Sequence, residues 1–317
     1  MSTQSQGIAV GVSSCLLGEQ VRYDGGHKRD SFVSDQLAGY FSFYAVCPEV
    51  ACGMSVPREP IRLYGNPEDP QVVTVKSGID CGEPLKRWVQ QAIIVIKQRG
   101  LRGFILKKNS PSCGLYRMKV YQEKGPPQPH GQGIFARALV EALPLLPVEE
   151  EGRLTDAVLR ENFVEQVFAY DRLLRFMETP PDRGALVAFH TGYKLLMMAH
   201  SPEHYRQLGR LVSGCEPLEV VYEQYPRLFM EGMRKIATPA KHTNVLMHCL
   251  GYFKKVLSGW EKAELLSLIE RYRQRHIPLI VPITLLQHYV RKYDQQYLAG
   301  QCYFAPHPDE LMLRNHA

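Results

Sequence analysis

The pattern of apolar residues changes near the middle of the chain, and this change limits the folds that the sequence can adopt. Up to about residue 150, short continuous apolar runs (residues 8–12, 43–46 and 103–106) alternate with amphipathic stretches. Continuously apolar strands that alternate with helices are typical of a parallel sheet covered by helices. Beyond residue 154 only helical periodicity remains. The sequence therefore predicts a Rossmann-like α/β N-terminal domain followed by an all-α C-terminal domain.

The same patterns place the individual elements. Helices are predicted over residues 31–40, opened by Asp30 or Ser31, and over 83–98 and 131–143, and a hairpin over 61–64 and 72–75. Residues 145–152, apolar and then acidic, are interpreted as a linker, so the predicted domains are 1–147 and 153–317. Proline and glycine separate the helices predicted in the second half, which are 154–177, 184–198, 202–212, 218–236, 241–257, 261–275 and 282–298.

The composition of the chain indicates the cellular compartment in which it works. No run approaches the ~18 apolar residues of a membrane span, and residues 1–6 lack the features of a signal peptide. We therefore expect a cytoplasmic protein. The chain has eight cysteines, and in a reducing compartment these are packing residues, metal ligands or catalytic thiols rather than a disulfide framework.

Three cysteines follow the predicted strands. Cys15 comes shortly after the first strand, Cys47 directly after the second, and Cys113 a short loop after the third. Because the carboxyl ends of parallel strands face the same edge of a sheet, we expect these thiols to meet there. Soft sulfur ligands select zinc or iron–sulfur clusters, and three ligands leave one coordination position open. Burial under loops without any metal is the alternative.

Polar residues accompany these cysteines. Glu49 is two residues beyond Cys47 and can act as a general base, and Ser110 is three residues before Cys113 and can donate a hydrogen bond. A solvated loop or an internal salt bridge is the alternative for the charged residues. Whether Cys52 or Cys81 contributes to the site is left open. Candidate substrate-binding residues are Arg22, Asp24, His27, Lys28, Lys107 and Lys108.

Three separated motifs carry a resemblance to a known family. S-S-C-L-L-G with V-R-Y-D-G-G-H-K, then C-P-E-V with a following P-R, then K-K-N-S-P-S-C-G resemble the TudS-type thiouracil desulfidases over residues 7–145. The resemblance implies a [4Fe-4S] cluster held by Cys15, Cys47 and Cys113, with one iron not ligated by protein. It also implies that Glu49 and Ser110 are the catalytic carboxylate and hydroxyl, and that the iron takes up the sulfur of a thiolated pyrimidine.

The second half is similar to the YbgA-type helical domain. The similarity lies in Y-K-L-L-M-M-A-H-S, T-P-A-K-H-T-N-V-L-M-H and L-A-G-Q-C-Y-F-A-P-H-P. The fused arrangement resembles desulfidases of the RudS type, which implies that 4-thiouridine, in tRNA or as the nucleoside, is converted to uridine and hydrosulfide by hydrolysis.

The charge of the chain permits a polyanionic partner such as tRNA. The net charge is +6, and a mild excess of this kind allows nucleic-acid binding without demanding it. Phosphate contacts from the helical domain would give salt-dependent affinity with little sequence information. The candidate contacts are Arg206, Arg210, Arg234, Lys235, Lys241, His242, Lys254, Lys255, Arg271, Arg273 and Arg275.

The residues are also compatible with two other functions. An iron–sulfur or zinc regulator that senses redox state and binds nucleic acid would need four protein ligands and would not turn over thiolated nucleosides. A sulfurtransferase would carry a persulfide on Cys113 or Cys47, and its activity would survive removal of a cluster.

Overall fold

The computed structural model describes residues 7–316, and it divides into two compact units between Thr155 and Asp156. Within residues 7–316, every helix is too short or too polar to cross a lipid bilayer.

The first unit contains two four-stranded sheets and three short or medium helices. The strands are Ile8–Ser13 (β1), Phe41–Val46 (β2), Ile61–Asn66 (β3), Asp69–Thr74 (β4), Gly103–Leu106 (β5), Met118–Tyr121 (β6), Gln128–Gly131 (β7) and Val148–Glu150 (β8). The helices are Pro48–Ala51 (α1), Gly82–Gln98 (α2) and Ile134–Ala142 (α3).

The main sheet has the strand order β2-β1-β5-β8, and every pair in it is parallel. Its central strands are buried, as their apolar sequences predicted, and Val10, Val12 and Ile105 are completely inaccessible to solvent. Gly11 is required in β1 because a Cβ atom there would lie 2.2 Å from the ring of Phe104 in β5. The predicted α/β fold with a parallel sheet is therefore confirmed.

The second sheet has the order β4-β3-β6-β7. The predicted hairpin is confirmed, because β3 and β4 pair in antiparallel register from Ile61 with Thr74 to Asn66 with Asp69. Strand β6 adds parallel to β3, and β7 adds antiparallel to β6. The sequence did not predict β7, a polar segment that contains a proline, and residue 131 lies in this strand rather than in the predicted helix 131–143.

Two other local predictions gave the wrong type of secondary structure. Residues 31–40 do not make an α-helix but a π-helical turn, Phe32–Gln36, followed by a 3₁₀ turn, Leu37–Gly39. The predicted cap is nevertheless present, since the Asp30 carboxylate accepts a hydrogen bond from the Val33 amide at 3.0 Å. The predicted linker 145–152 contains β8, whose acidic side chains are buried.

The second unit is entirely helical apart from its loops, as the periodicity predicted. Several helices begin with side-chain caps, such as Asp156, Ser201 and the capping box of Ser258 with Glu261. The helices are Ala157–Met177 (α4), Arg183–His200 (α5), Pro202–Ser213 (α6), Leu218–Met233 (α7), Pro239–Tyr252 (α8), Gly259–Arg273 (α9), Ile280–Lys292 (α10) and Gln296–Ala299 (α11).

Candidate active site

The structure brings the three predicted cysteines to one cavity. Cys15 lies in a 3₁₀ turn directly beyond β1, Cys47 is the residue between β2 and α1, and Cys113 lies in the loop that follows β5. All three line a cavity at the carboxyl edge of the parallel sheet. This is the place where open α/β sheets bind their ligands.

Cys15 and Cys113 are buried and Cys47 is partly buried, and this burial favours the protonated thiols. Burial raises the pKa of Cys15 to about 11, although the nearby Lys107 charge opposes the shift. Burial also raises the pKa of Cys47 and of Cys113, and a hydrogen bond with Ser13 partly opposes the shift at Cys113. Protonated thiols are poor nucleophiles. A metal centre would supply the positive charge that converts them to thiolate ligands.

The spacing of the sulfur atoms bears on the kind of centre that fits. Among the described residues, the three sulfur atoms do not all lie within 4.8 Å of one another. A single tetrahedral zinc ion, with bonds of about 2.3 Å, would hold its sulfur ligands about 4 Å apart. The three thiols therefore lack the spacing of a preformed single-zinc site, and soft sulfur ligands also suit an iron–sulfur cluster.

Glu49 is held at the cavity by three side chains. Arg58 forms an ion pair with Oε2, to which its Nε also donates at 3.2 Å, and Oε1 accepts hydrogen bonds from Ser112 at 2.9 Å and from Ser110 at 3.4 Å. The Arg58 and Glu49 side chains are 8% and 14% exposed. The carboxylate therefore has a fixed orientation beside the thiols.

Arg58 and Ser112 were not among the site residues that the sequence predicted. Arg58 stands in the P-R pair after C-P-E-V, and Ser112 stands in the S-P-S-C-G motif, so the motifs contained both residues. Ser110, the residue that was singled out, has a second contact: its Oγ accepts hydrogen bonds from the amides of Ser112 and Cys113 at 3.3 and 3.2 Å. Ser110 therefore also shapes the loop that carries Cys113.

Two buried carboxylates, one on the last residue of β8 and one on the residue after it, fix both ends of that loop. Glu151 Oε2 accepts a hydrogen bond from the Lys108 amide at 2.7 Å, and its Oε1 forms an ion pair with Lys107. Glu150 Oε1 accepts hydrogen bonds from the amides of Leu115 and Tyr116 at 2.7 and 3.2 Å. The acidic run that the sequence suggested was a linker thus anchors the Cys113 loop.

The predicted substrate-binding residues fall into two groups. Arg22, Lys107 and Lys108 line the cavity. The Nε of Arg22 is buried without a hydrogen-bond partner, and its nearest carboxylate atom, Asp24 Oδ1, is 3.6 Å away. A buried donor without a hydrogen bond in the lining of a thiol-lined cavity suits an electron-rich ligand, so the donor set and this guanidinium nitrogen are both compatible with an anionic cluster and its substrate.

The remaining candidates are not brought to the cavity wall. Asp24 accepts a hydrogen bond from the Gly26 amide at 3.0 Å, and His27 accepts one from the Arg29 amide at 3.2 Å, so both stabilise turns of the exposed loop. The Lys28 side chain is exposed. Cys52, whose thiol donates to the Glu49 carbonyl at 3.2 Å, and Cys81 also lie outside the lining of the cavity.

The helical unit contains a separate buried ion network. Arg314 donates to Glu161 at 3.2 Å and to Glu165 at 2.8 Å, and His200 lies 2.9 Å from the other oxygen of Glu165. Burial raises the pKa of Glu165, but the Arg314 charge and the His200 hydrogen bond outweigh it, so the carboxyl stays ionised. His307 lies with Glu161 and Glu165 in a group whose potential ligand atoms are within 4.8 Å. Because Arg314 and His200 already engage these carboxylates, the group is an internal ion network rather than an open metal site.

The candidate phosphate contacts of the helical unit also differ in availability. His242 is buried and lies 3.0 Å from the Tyr303 hydroxyl, so it is not a surface contact. Lys241 donates to the carbonyls of His200 and Ile236, and Arg273 is paired with Glu270. Arg206 and Arg210 line a surface groove.

The fold and the site define an α/β unit with a thiol-lined cavity, joined to an all-helical unit. Residues 10–151 match the family model described as 2-thiouracil desulfurase, and residues 194–308 match a protein family of unknown function, DUF1722. The chain joins a domain that belongs to the 2-thiouracil desulfurase family to a YbgA-type domain.

Individual relatives resemble one part of the chain or the other. The uncharacterized protein YbgA of Escherichia coli K12 is 37% identical over 153 residues, which cover 47% of this chain and 90% of YbgA. The uncharacterized protein YbbK of Bacillus subtilis 168 is 36% identical over 108 residues, which cover 32% of this chain and 71% of YbbK. A solved structure of the [4Fe-4S]-dependent thiouracil desulfidase TudS is 35% identical, covers 48% of this chain and 94% of its own, and has a TM-score of 0.39.

Proposed function

We propose that the protein is an iron–sulfur-dependent desulfidase that removes sulfur from thiolated pyrimidines by hydrolysis. Its substrate is 4-thiouridine, in tRNA or as the nucleoside, and its products are uridine and hydrosulfide. The observation that carries this proposal is the convergence of Cys15, Cys47 and Cys113 on one cavity beside an oriented carboxylate, Glu49. The family to which the N-terminal unit belongs supports the reaction class.

The three thiols would hold a [4Fe-4S] cluster in which one iron has no protein ligand. When bound, the cluster would supply a Lewis-acidic iron for the sulfur of the substrate. Burial raises the pKa of Cys47 and of Cys113, the two candidate persulfide carriers. This favours the role of metal ligand over that of a nucleophile, because an unassisted nucleophile needs the thiolate form at neutral pH.

The residues of the chain would carry out the proton transfers. Glu49 accepts a proton from the water that attacks the ring carbon, which is the task of a general base. Ser110 and Ser112 orient the Glu49 carboxylate through Oε1, and Arg58 holds Oε2. Oxygen from water replaces sulfur on the ring and the sulfur departs as hydrosulfide. The exchange is redox-neutral and needs no external electron donor.

Anaerobic incubation of the reconstituted full-length protein with 4-thiouridine-containing tRNA, free 4-thiouridine and 2-thiouracil tests this function. In ¹⁸O-labelled water we expect the uridine product to carry one ¹⁸O at the desulfurised carbon, with hydrosulfide released and no reductant consumed. Glu49→Gln should lower the rate by about 10²- to 10⁴-fold, and Glu123→Gln, at an exposed position, should leave it unchanged. Turnover that requires stoichiometric reductant, or product without ¹⁸O, would contradict the proposal.

A further inference from the structure

A second cavity, of about 220 Å³, lies within the helical unit. Its walls come from α4, the end of α5, the start of α8 and the end of α9, together with the loops beside them. This α4–α9 cavity brings buried polar groups and apolar side chains together, and none of them takes part in the reaction proposed above.

The acceptor groups of the α4–α9 cavity are already occupied. Arg314 donates to Oε1 of Glu161 at 3.2 Å and to Oε1 of Glu165 at 2.8 Å. Oε2 of Glu161 lies 2.7 Å from His316 Nε2, and Oε2 of Glu165 lies 2.9 Å from His200 Nε2. All four carboxylate oxygens therefore have a partner within the protein.

His242, in contrast, holds a donor that has no partner. The residue is 4% exposed, and its Nδ1 lies 3.0 Å from the hydroxyl of the fully buried Tyr303. That hydroxyl has no other hydrogen bond in the described part of the chain, so we assign its proton to the bond with Nδ1 and the ring proton to Nε2. Burial, and then the Arg314 charge, lower the pKa of His242 to about 3 and keep the ring neutral. Nε2–H is the polar group that His242 presents to the cavity it lines.

Two further donors accompany His242. The Tyr272 ring lies edge to face with the His242 ring, with 6.3 Å between the ring centroids, and Tyr272 is 5% exposed. Burial, and then the Glu161 charge, raise the pKa of Tyr272, so its hydroxyl keeps its proton, and no acceptor within residues 7–316 takes it up. Arg275 is exposed at the edge of the cavity and forms no ion pair with an acidic residue that the structure describes.

The free groups of the cavity are therefore donors, and they point to a ligand that supplies acceptors. Arg275 adds one positive charge, which favours an anion. Glu161 and Glu165 disfavour a ligand with two negative charges, such as a phosphate monoester, because like charges repel one another. A carboxylate carries one negative charge on two acceptor oxygens, and the guanidinium fork of an arginine matches this group.

The apolar part of the lining indicates that the ligand also has an apolar body. Val158 and Ile236 line the cavity and are 40% and 38% exposed. Leu279 lies beside them in the lining and is buried. Covering exposed apolar side chains is favourable, and small-molecule sites typically combine an apolar wall with a few placed polar groups.

We propose that the α4–α9 cavity binds a small organic carboxylate. The carboxylate is held by Arg275, Tyr272 and His242, and the apolar part of the ligand lies against Val158 and Ile236. The site belongs to the helical unit alone, so it does not depend on the proposed desulfidase reaction.

Equilibrium binding to the anaerobic full-length holoprotein tests the proposal, with benzoate as the probe and benzamide as its uncharged isostere. Isothermal titration calorimetry at constant ionic strength provides the affinities. We expect benzoate to bind saturably at one site. Benzamide should bind about tenfold or more weakly, because it lacks the charge that pairs with a guanidinium group. Absence of saturable benzoate binding, or equal affinity for the two compounds, would overturn the proposal.

Two variants locate the probe in the cavity. Arg275→Asn removes the charge, and asparagine tolerates the positive φ of 60° at this position. It should lower the affinity for benzoate about tenfold and leave that for benzamide unchanged. Tyr272→Phe keeps the ring and should lower the affinity for benzoate about three- to tenfold. Arg271→Asn, at an exposed position outside the lining, is the control and should stay within about twofold of wild type. Benzoate affinity that neither cavity variant changes would refute the site.

Competition separates a small carboxylate from phosphate groups as the ligand. Inorganic phosphate at the concentration of benzoate, and unmodified tRNA at the concentration of the protein, are added to the benzoate complex. We expect neither to displace benzoate. Displacement by inorganic phosphate or by tRNA would assign the cavity to a phosphate group and overturn the proposal.

Discussion

Arg58 is the residue that organises the candidate active site most directly. It forms an ion pair with Glu49, and both terminal nitrogens of its guanidinium donate to the Val21 carbonyl at 3.1 Å. One planar fork therefore ties the Glu49 carboxylate to the loop that brings Arg22 to the cavity. Lysine would keep the charge but not this geometry.

Replacing Arg58 with lysine should separate orientation from charge. We expect Arg58→Lys to lower kcat by about 10²-fold, because small misplacements of a catalytic group have effects of this size. KM and the iron content should change little, since Arg58 does not contact the thiols as a ligand. Steady-state kinetics with iron analysis provide the measurement. Arg29→Lys, which alters an exposed pair with Asp35, is the matched control, and equal activity of the two variants would refute a positioning role for Arg58.

At the residue scale, the sequence predicted the site residues whose position depends only on the neighbouring strand. The three cysteines could be chosen because each follows a strand, and the ends of parallel strands share an edge. Arg58 and Ser112 could not be chosen in this way, because their roles depend on contacts with Glu49 across 9 and 63 positions of the chain. Such contacts arise only when the tertiary structure has formed.

At the scale of elements, strand β8 is the part that connects the fold to the site. It forms one edge of the parallel sheet, and the carboxylates at its end accept hydrogen bonds from backbone amides of the Cys113 loop. The sequence suggested a linker here because acidic residues are rarely buried. Burial is possible because backbone amides and Lys107 satisfy the carboxylates.

Removing the Glu150 carboxylate should loosen the loop that carries Cys113. Glu150→Ala leaves the buried amide of Leu115 and the partly buried amide of Tyr116 without their acceptor, which costs about 1–3 kcal/mol. We expect a lower melting temperature and a faster loss of iron to a chelator. Thermal unfolding and anaerobic iron release provide the measurements. Glu141→Ala, at an exposed position on α3, should change neither, and identical iron retention in the two variants would contradict an anchoring role.

The elements themselves were predicted to different extents. Strands and helices with strong periodicity were found, and the cap at Asp30 was correct. Strand β7 was missed because its sequence, Q-P-H-G, has neither alternation nor apolar character, and only pairing with β6 makes it a strand. The turn Phe32–Gln36 is π-helical. The sequence predicted an α-helix there because the spacing of apolar residues is similar in α- and π-helices.

At the scale of the whole molecule, the change in periodicity near residue 150 predicted the fold class of both units. What it did not predict is the distribution of charge within each unit. In the first unit the charged residues at the cavity are largely engaged with one another, as Glu49 is with Arg58 and Lys107 with Glu151. In the second unit Lys194, Arg206 and Arg210 line a surface groove, and none of the described acidic residues contributes to its lining. The net charge of +6 conceals this difference.

Mössbauer spectroscopy of the ⁵⁷Fe-loaded full-length protein, kept anaerobic and measured with and without 4-thiouridine, tests the central claim most directly. Three protein thiolates on one cubane cluster would leave a single iron without a protein ligand. We predict that the signal of this iron alone shifts when the thiolated nucleoside binds, and that uridine causes no shift. The account would be contradicted if the protein holds no cubane cluster, or if no iron signal shifts when 4-thiouridine is added.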